Sequence, residues 1–300
     1  MHNIPNLFLI GAPKTGTTAL AKNISKHEKI FLPKYGRERF FDAITYYDYQ
    51  EDSSVSSIEE YLLSFDSKEA LKATYRLDPC ALSMYKQESI DNIINFSPNA
   101  KFIIILREPV NASISMHRQR LGYIDIKMRE ISDNFMECWE KLEERKEGKG
   151  FPKGCRNKFL FRYDLLYSYE LYLPYIIKTI KKENLFIGFY DEFIGEPDEL
   201  YSKIFKFLNL ENIDINNKQI NKPKIIKKSK FLEYIELLST KSFTMRSKLG
   251  LNGKKITLLK KFIFSFYIMN DIKKEIANQK VYDFFAKTNG YLDKLKYEYK

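Results

Sequence analysis

One short stretch near the start of the chain has the residue types and order needed to hold a phosphate: Gly11-Ala12-Pro13-Lys14-Thr15-Gly16-Thr17-Thr18, followed at once by the helix-forming run Ala19-Leu20-Ala21-Lys22. A glycine-bearing loop that opens into a helix turns backbone N–H groups toward an anion, and the helix dipole adds favourable potential at the same place. Lys14 adds a cation, and Thr15, Thr17 and Thr18 add hydroxyls. In the triphosphate-binding loop G-x-x-x-x-G-K-[ST] the lysine follows the second glycine, where it reaches the β- and γ-phosphates. Thr17 occupies that place here, and the lysine stands inside the loop at Lys14. From there it would meet a bound nucleotide nearer the bridging oxygen between the 5′-phosphate and the terminal group.

A second candidate follows the apolar run Phe102–Leu106, which ends in Arg107 rather than in the aspartate of a metal-holding nucleotidase strand. Arginine at a strand's C-terminal end can bind a phosphate through two parallel hydrogen bonds. Ser115, one to two turns into the helix that Pro109 opens, can donate a further one. Proline suits the first helical turn because the N–H it lacks would have no intrahelical partner there.

Phe8 to Thr18 resembles the 5′-phosphosulfate loop of the sulfotransferase superfamily, P-K-[ST]-G-T-T, and Phe102 to Ser115 resembles that family's 3′-phosphate motif, a strand followed by R-[DN]-P-x-x-R-A-x-S. Glu108 stands where the family has Asp or Asn, and Ala112 where it commonly has a second arginine. Leu166–Leu171, Leu185–Phe193, Ile204–Leu210 and Val281–Leu292 also resemble later family segments, mostly through core spacing. The resemblance implies transfer of a sulfuryl group from 3′-phosphoadenosine-5′-phosphosulfate to an acceptor hydroxyl, with adenosine 3′,5′-bisphosphate as the product. It implies that Ala12, Pro13, Lys14, Thr15, Gly16, Thr17, Thr18, Arg107 and Ser115 hold the donor and that Lys14 acts in catalysis. A late loop of the family completes the nucleotide site, and the segment Asn221–Lys230, with Lys222, is its natural place. A donor ending in sulfate carries less charge than a triphosphate and needs no magnesium clamp.

In the carbohydrate-type branch the general base is usually a glutamate in K-E-x-[HRN]-F-F. Glu38 precedes Phe40-Phe41 here, with the match ambiguous by one residue because Arg37 falls on the glutamate position in the gapless alignment. Glu38 is the first candidate, its alternative role being a solvent-facing partner of Arg37 or Arg39. His117 is the second, its alternative a place on a helix surface.

These residues require a frame. Leu7–Ile10 precedes a helix from Thr17 to about Lys26; Ile93–Phe96 ends a helix before the Phe102–Leu106 strand; and Leu185–Phe189 leads into a helix to about Leu208. That β-α-β order, with strands apolar at every position, predicts an α/β fold of three layers, helices on both faces of a central parallel sheet, of the P-loop type. One domain over 1–300 is expected, with 231–300 its helical C-terminal part; the run Phe262–Met269, too short to span a membrane, reads as a buried helix. Glu137–Lys158 reads as a helix end and a surface loop.

Net charge is +11, and the excess lies in residues 218–300, with 20 basic and 7 acidic side chains against 30 and 32 in residues 1–217. A basic segment suits a phosphorylated nucleotide, an anionic acceptor, a membrane surface or nucleic acid. Nucleic-acid binding alone leaves Lys14, Arg107 and Ser115 unexplained, and a kinase would place its lysine at position 17. The acceptor is expected to be a glycan, glycolipid or small molecule. Cys80, Cys138 and Cys155 are odd in number and far apart, which argues against a disulfide framework or a zinc site, and His2, His27 and His117 are too dispersed for a metal cluster. With no basic n-region before Leu7–Ile10 and no transmembrane segment expected, the reading is of a cytoplasmic enzyme without a metal.

Overall fold

The computed structural model describes residues 4–33, 57–155, 157–215 and 276–299, with the backbone of 225–226 and 268–269. The chain divides into two compact units, one of Met1–Ser113, Asp164–Asn221 and Lys280–Lys300, the other of Ile114–Tyr163 and Lys222–Gln279.

The first unit is built on five parallel strands: β1 (Leu7–Gly11), β2 (Ile30–Phe31), β3 (Tyr75–Asp78), β4 (Lys101–Leu106) and β5 (Leu185–Phe189), in the order β2-β3-β1-β4-β5. Helices flank the sheet, as the α/β pattern predicts. Leu7, Leu9, Leu77, Ile103 and Ile105 share one core with Leu20 and Ile24 of the Thr17–Ile24 helix and with Leu200, Ile204 and Phe205 of the Pro197–Phe207 helix. The alternate residues Phe8, Ile10, Phe102 and Ile104 are as deeply buried. Both faces of the central strands are therefore covered, which explains why these strands are apolar at every position. The single helix expected after β5 is two, Tyr190–Gly195 and Pro197–Phe207; Pro197 lacks the N–H that a continuous helix would need and starts a new one instead.

Two strands have no visible pattern in the sequence. β2 has only two residues, and β3 alternates apolar and charged side chains through Arg76 and Asp78. Two and four residues are too few for a period to stand out.

The second unit holds a buried ion pair between Arg145 and Glu130, whose side chains are fully enclosed. Arg145 also donates to the carbonyls of Gly150 at 3.0 Å and Phe161 at 2.8 Å, and Tyr163 donates to Glu130 at 2.9 Å. With its charge and several of its donors matched, the guanidinium can be buried. Burial and the neighbouring Glu130 push the Cys138 thiol well above its ordinary range. The stretch Glu137–Lys158 is a pair of short helices, Phe135–Glu140 and Leu142–Lys146, followed by turns, in line with the sequence reading. One expectation is corrected in this unit: Ile268 and Met269, the end of the run that reads as a buried helix, form β7, antiparallel to β6 (Ile225–Ile226). Three of the four residues in that pair are isoleucine, and branching at Cβ favours strand over helix.

Candidate functional site

β1 delivers the phosphate loop through a change of register. Its pairing with β4 is regular from Leu7 to Leu9 and slips before Gly11, after which Ala12 donates to the Ile105 carbonyl at 2.9 Å. Such an irregularity bends the strand and re-aims the residues beyond it. The Thr15 hydroxyl braces the loop from within by donating to the Ala12 carbonyl at 2.7 Å. Lys14 has φ 67, an unusual conformation for a residue with a Cβ, and such strain is held where surrounding contacts fix it. Gly16 is the N-cap of the Thr17–Ile24 helix, at φ 79, and no side chain caps that helix start. The first-turn N–H groups therefore have no capping side-chain oxygen, the arrangement an anion-binding helix start requires. Ala12, Pro13 and Thr15 are buried, Lys14 half-buried and Thr18 exposed, so the cradle opens outward at its helical end.

Arg107, directly after β4, reaches this loop. Its Nη1 donates to the Lys14 carbonyl at 3.0 Å, and its guanidinium lies 4.1 Å from the centre of the Tyr190 ring. The two sequence motifs, 93 residues apart, thus meet in one hydrogen bond. Stacking on an aromatic face orients a planar guanidinium while leaving its edge for hydrogen bonding. Next to it, Glu108 accepts from the N–H groups of Val110 at 3.0 Å and Asn111 at 2.7 Å. The unusual glutamate thus serves as the N-cap of the Pro109–Leu121 helix, with reach enough for both donors, a role that Asp or Asn would also fill.

A cleft of about 210 Å³ lies at the C-terminal ends of β4 and β5, lined by Arg107, Glu108, Asp191, Asn289 and Lys296 among others. Lys296 stands 3.5 Å from Asp191. Arg107 and Lys296 are set against Glu108, Asp191 and Asp293 in its lining, so the cleft as a whole is not an anion trap; Arg107 also reaches the loop after β1.

The remaining sequence candidates fall elsewhere. Ser115 is half-buried on the Pro109–Leu121 helix, whose first residues belong to one unit and whose later residues belong to the other. His117, two residues on, does not lie on the helix surface: it is fully buried, 3.0 Å from the Ser132 carbonyl and packed edge-on against Phe135 and Tyr163. Its aromatic neighbours hold it in the core. Glu38 and Lys222 lie outside the described residues. Among the described residues, no group of three or more His, Cys, Asp or Glu is arranged to hold a metal ion, and no helix is long and apolar enough to cross a membrane. Tyr190 reads in the sequence as packing only; the signal that could single it out is its position just after a strand that runs beside the one ending in Arg107.

The loop after β1 and the strand-end arginine stand together on an α/β fold with a central parallel sheet. The sequence profile of the sulfotransferase domain matches residues 5–285, and the chain belongs to that family. Its activity class is accordingly sulfonate transfer. A sulfotransferase from Alicyclobacillus acidocaldarius has the same fold, with a TM-score of 0.61 at 18% identity over 83% of this chain and 96% of that one. A mouse sulfotransferase complexed with PAP aligns at 17% identity over 70% of this chain and 60% of that one, with a TM-score of 0.44. No curated protein matches in a sequence search.

The loop's dependence on Gly16 can be isolated. A Cβ at Gly16 would sit 2.8 Å from Phe193, a core residue, whereas one at Gly148, which has nearly the same φ, would meet nothing within 4 Å. Gly148→Ala should cost only the backbone strain, about 1–2 kcal/mol. Gly16→Ala should cost that plus an overpacking penalty of roughly 1–3 kcal/mol, read as a larger shift in denaturant midpoint. Equal shifts would mean that the helix start yields to Phe193.

Proposed function

We propose that the chain transfers a sulfuryl group from 3′-phosphoadenosine-5′-phosphosulfate to an acceptor hydroxyl, that of a glycan, glycolipid or small molecule. The observation that carries this reading is the Arg107–Lys14 hydrogen bond of 3.0 Å, which puts a strand-end guanidinium beside the phosphate loop as a nucleotide with separate 3′- and 5′-phosphates requires. When bound, the donor supplies the sulfuryl group. The loop from Ala12 to Thr18 would hold its 5′ end, through the backbone N–H groups that follow Pro13, and Arg107, with Ser115 from the sequence match, its 3′-phosphate. Lys14 would place positive charge where the transition state gains negative charge, and Glu38 would take the acceptor's proton. Lys222 and its neighbours complete the nucleotide site in this proposal, and residues 1–300 act as one catalytic domain. A cytoplasmic setting belongs to the same proposal, on the odd number and wide spacing of Cys80, Cys138 and Cys155.

Arg107 is the direct test of donor choice. Adenosine 3′,5′-bisphosphate should bind much more tightly than adenosine 5′-monophosphate, and Arg107→Ala should erase most of that preference, a loss of about 2–4 kcal/mol. Matching titration curves for both nucleotides in the parent protein would refute the assignment.

The proton acceptor is tested separately. Glu38→Gln keeps size and removes basicity, so turnover should fall by roughly 10²–10⁴ while bisphosphate affinity persists. His117→Ala, measured beside it on one acceptor, separates the two candidates: loss of turnover there with Glu38→Gln active, and with bisphosphate affinity and unfolding temperature kept despite the core position of the ring, would move the role to the histidine.

A further inference from the structure

Tyr167 and Tyr169 stand two positions apart at the turn Tyr169–Leu171, and both are fully enclosed. Their rings meet edge to face, 6.2 Å apart. Each hydroxyl reaches the backbone of a different anion-binding element. Tyr169 donates to the carbonyl of Arg107 at 3.1 Å, and Tyr167 donates, over a longer 3.4 Å, to the carbonyl of Pro13 in the phosphate loop. The turn is itself pinned, because Thr288 of the C-terminal Ala286–Tyr299 helix donates to the Glu170 carboxylate at 2.8 Å.

We infer that Tyr169 is a positioning residue for Arg107, and that the tyrosine pair sets the spacing between the strand-end arginine and the phosphate loop. The ligand that needs this spacing is a nucleotide with phosphates on both the 3′ and 5′ positions of one ribose, so the inference rests on the donor reading above. Phenylalanine would fill the same volume at less cost, since a phenolic hydroxyl taken out of water must find a partner. These hydroxyls find theirs on carbonyls of the two elements that would grip the ligand. Burial pushes the Tyr169 phenol well above its ordinary pKa, so the group stays a neutral donor throughout the working pH range. Arg107 is thereby fixed at both ends. Its main chain is tied to Tyr169, and its guanidinium to the Lys14 carbonyl and the Tyr190 ring. Releasing the main-chain end lets the guanidinium drift from a bidentate approach, and bidentate geometry is what distinguishes a bound phosphate from a merely attracted one.

The test is the affinity ratio between adenosine 3′,5′-bisphosphate and adenosine 5′-monophosphate, measured by calorimetry on the full chain with thermal unfolding as the folding control. Tyr169→Phe should lower that ratio roughly three- to tenfold, the worth of one buried hydrogen bond, and should lower it no further on an Arg107→Ala background. A purely structural tyrosine would weaken both nucleotides together or reduce only the unfolding temperature, and an unmoved ratio would overturn the inference. If Tyr169→Phe does not fold, Thr288→Val loosens the same turn; a smaller fall in the ratio supports the inference and no fall overturns it. A parent protein without any preference would remove the donor reading and this inference with it. A strong parental preference that Tyr169→Phe retains would overturn the positioning role alone.

Discussion

The guanidinium of Arg107 lies between a backbone carbonyl and an aromatic face, 3.0 Å from the Lys14 oxygen and 4.1 Å from the Tyr190 ring centre. Much of the first unit serves to hold that arrangement. β4 brings Arg107 to the sheet's C-terminal edge beside β1, whose slipped register turns the loop toward it. Lys14 takes an unfavourable left-handed conformation, and its carbonyl accepts from the arginine. Strain of this kind costs about 1–3 kcal/mol and needs surroundings that over-determine it. Here the surroundings are the Thr15–Ala12 bond inside the loop and the arginine itself.

Charge at this edge is divided among neighbouring groups. Glu108 uses its carboxylate to cap the Pro109–Leu121 helix, so the residue beside Arg107 neutralises a helix start instead of pairing with the guanidinium in the same geometry. Asp191 is placed near Lys296, which also lies over the Phe189 ring. Glu108 and Asp191 thus have assigned partners, and Arg107 keeps an edge directed at the loop.

The parts of this site that are legible in the sequence are those written in consecutive residues. The loop from Gly11 to Thr18 and the strand ending in Arg107 stand out because an anion-binding turn needs its glycine, lysine and hydroxyl residues in one short order. The apolar runs of β1, β4 and β5 are equally plain, since burial on both faces demands unbroken hydrophobicity. Contacts between distant segments cannot be read in this way. Tyr169 bonds to a carbonyl 62 residues away, and nothing in Leu166–Leu171 distinguishes that tyrosine from a packing one. β2 and β3 escape because two and four residues are too few for a period to stand out, and Ile268–Met269, the end of the Phe262–Met269 run, misleads because a short apolar stretch fits either helix or strand until its partner, here Ile225–Ile226, is known. His117 looks like a helix-surface residue, yet the aromatic side chains that enclose it come from other segments.

The central claim is that this edge holds a nucleotide by two separate phosphates and without a metal clamp, and calorimetry in the presence of a chelator addresses it most directly. Adenosine 3′,5′-bisphosphate should bind with unchanged affinity whether or not divalent ions are removed, and ATP with magnesium should compete poorly. Tight binding of magnesium ATP, with the bisphosphate bound weakly or only when the ion is present, would contradict the account.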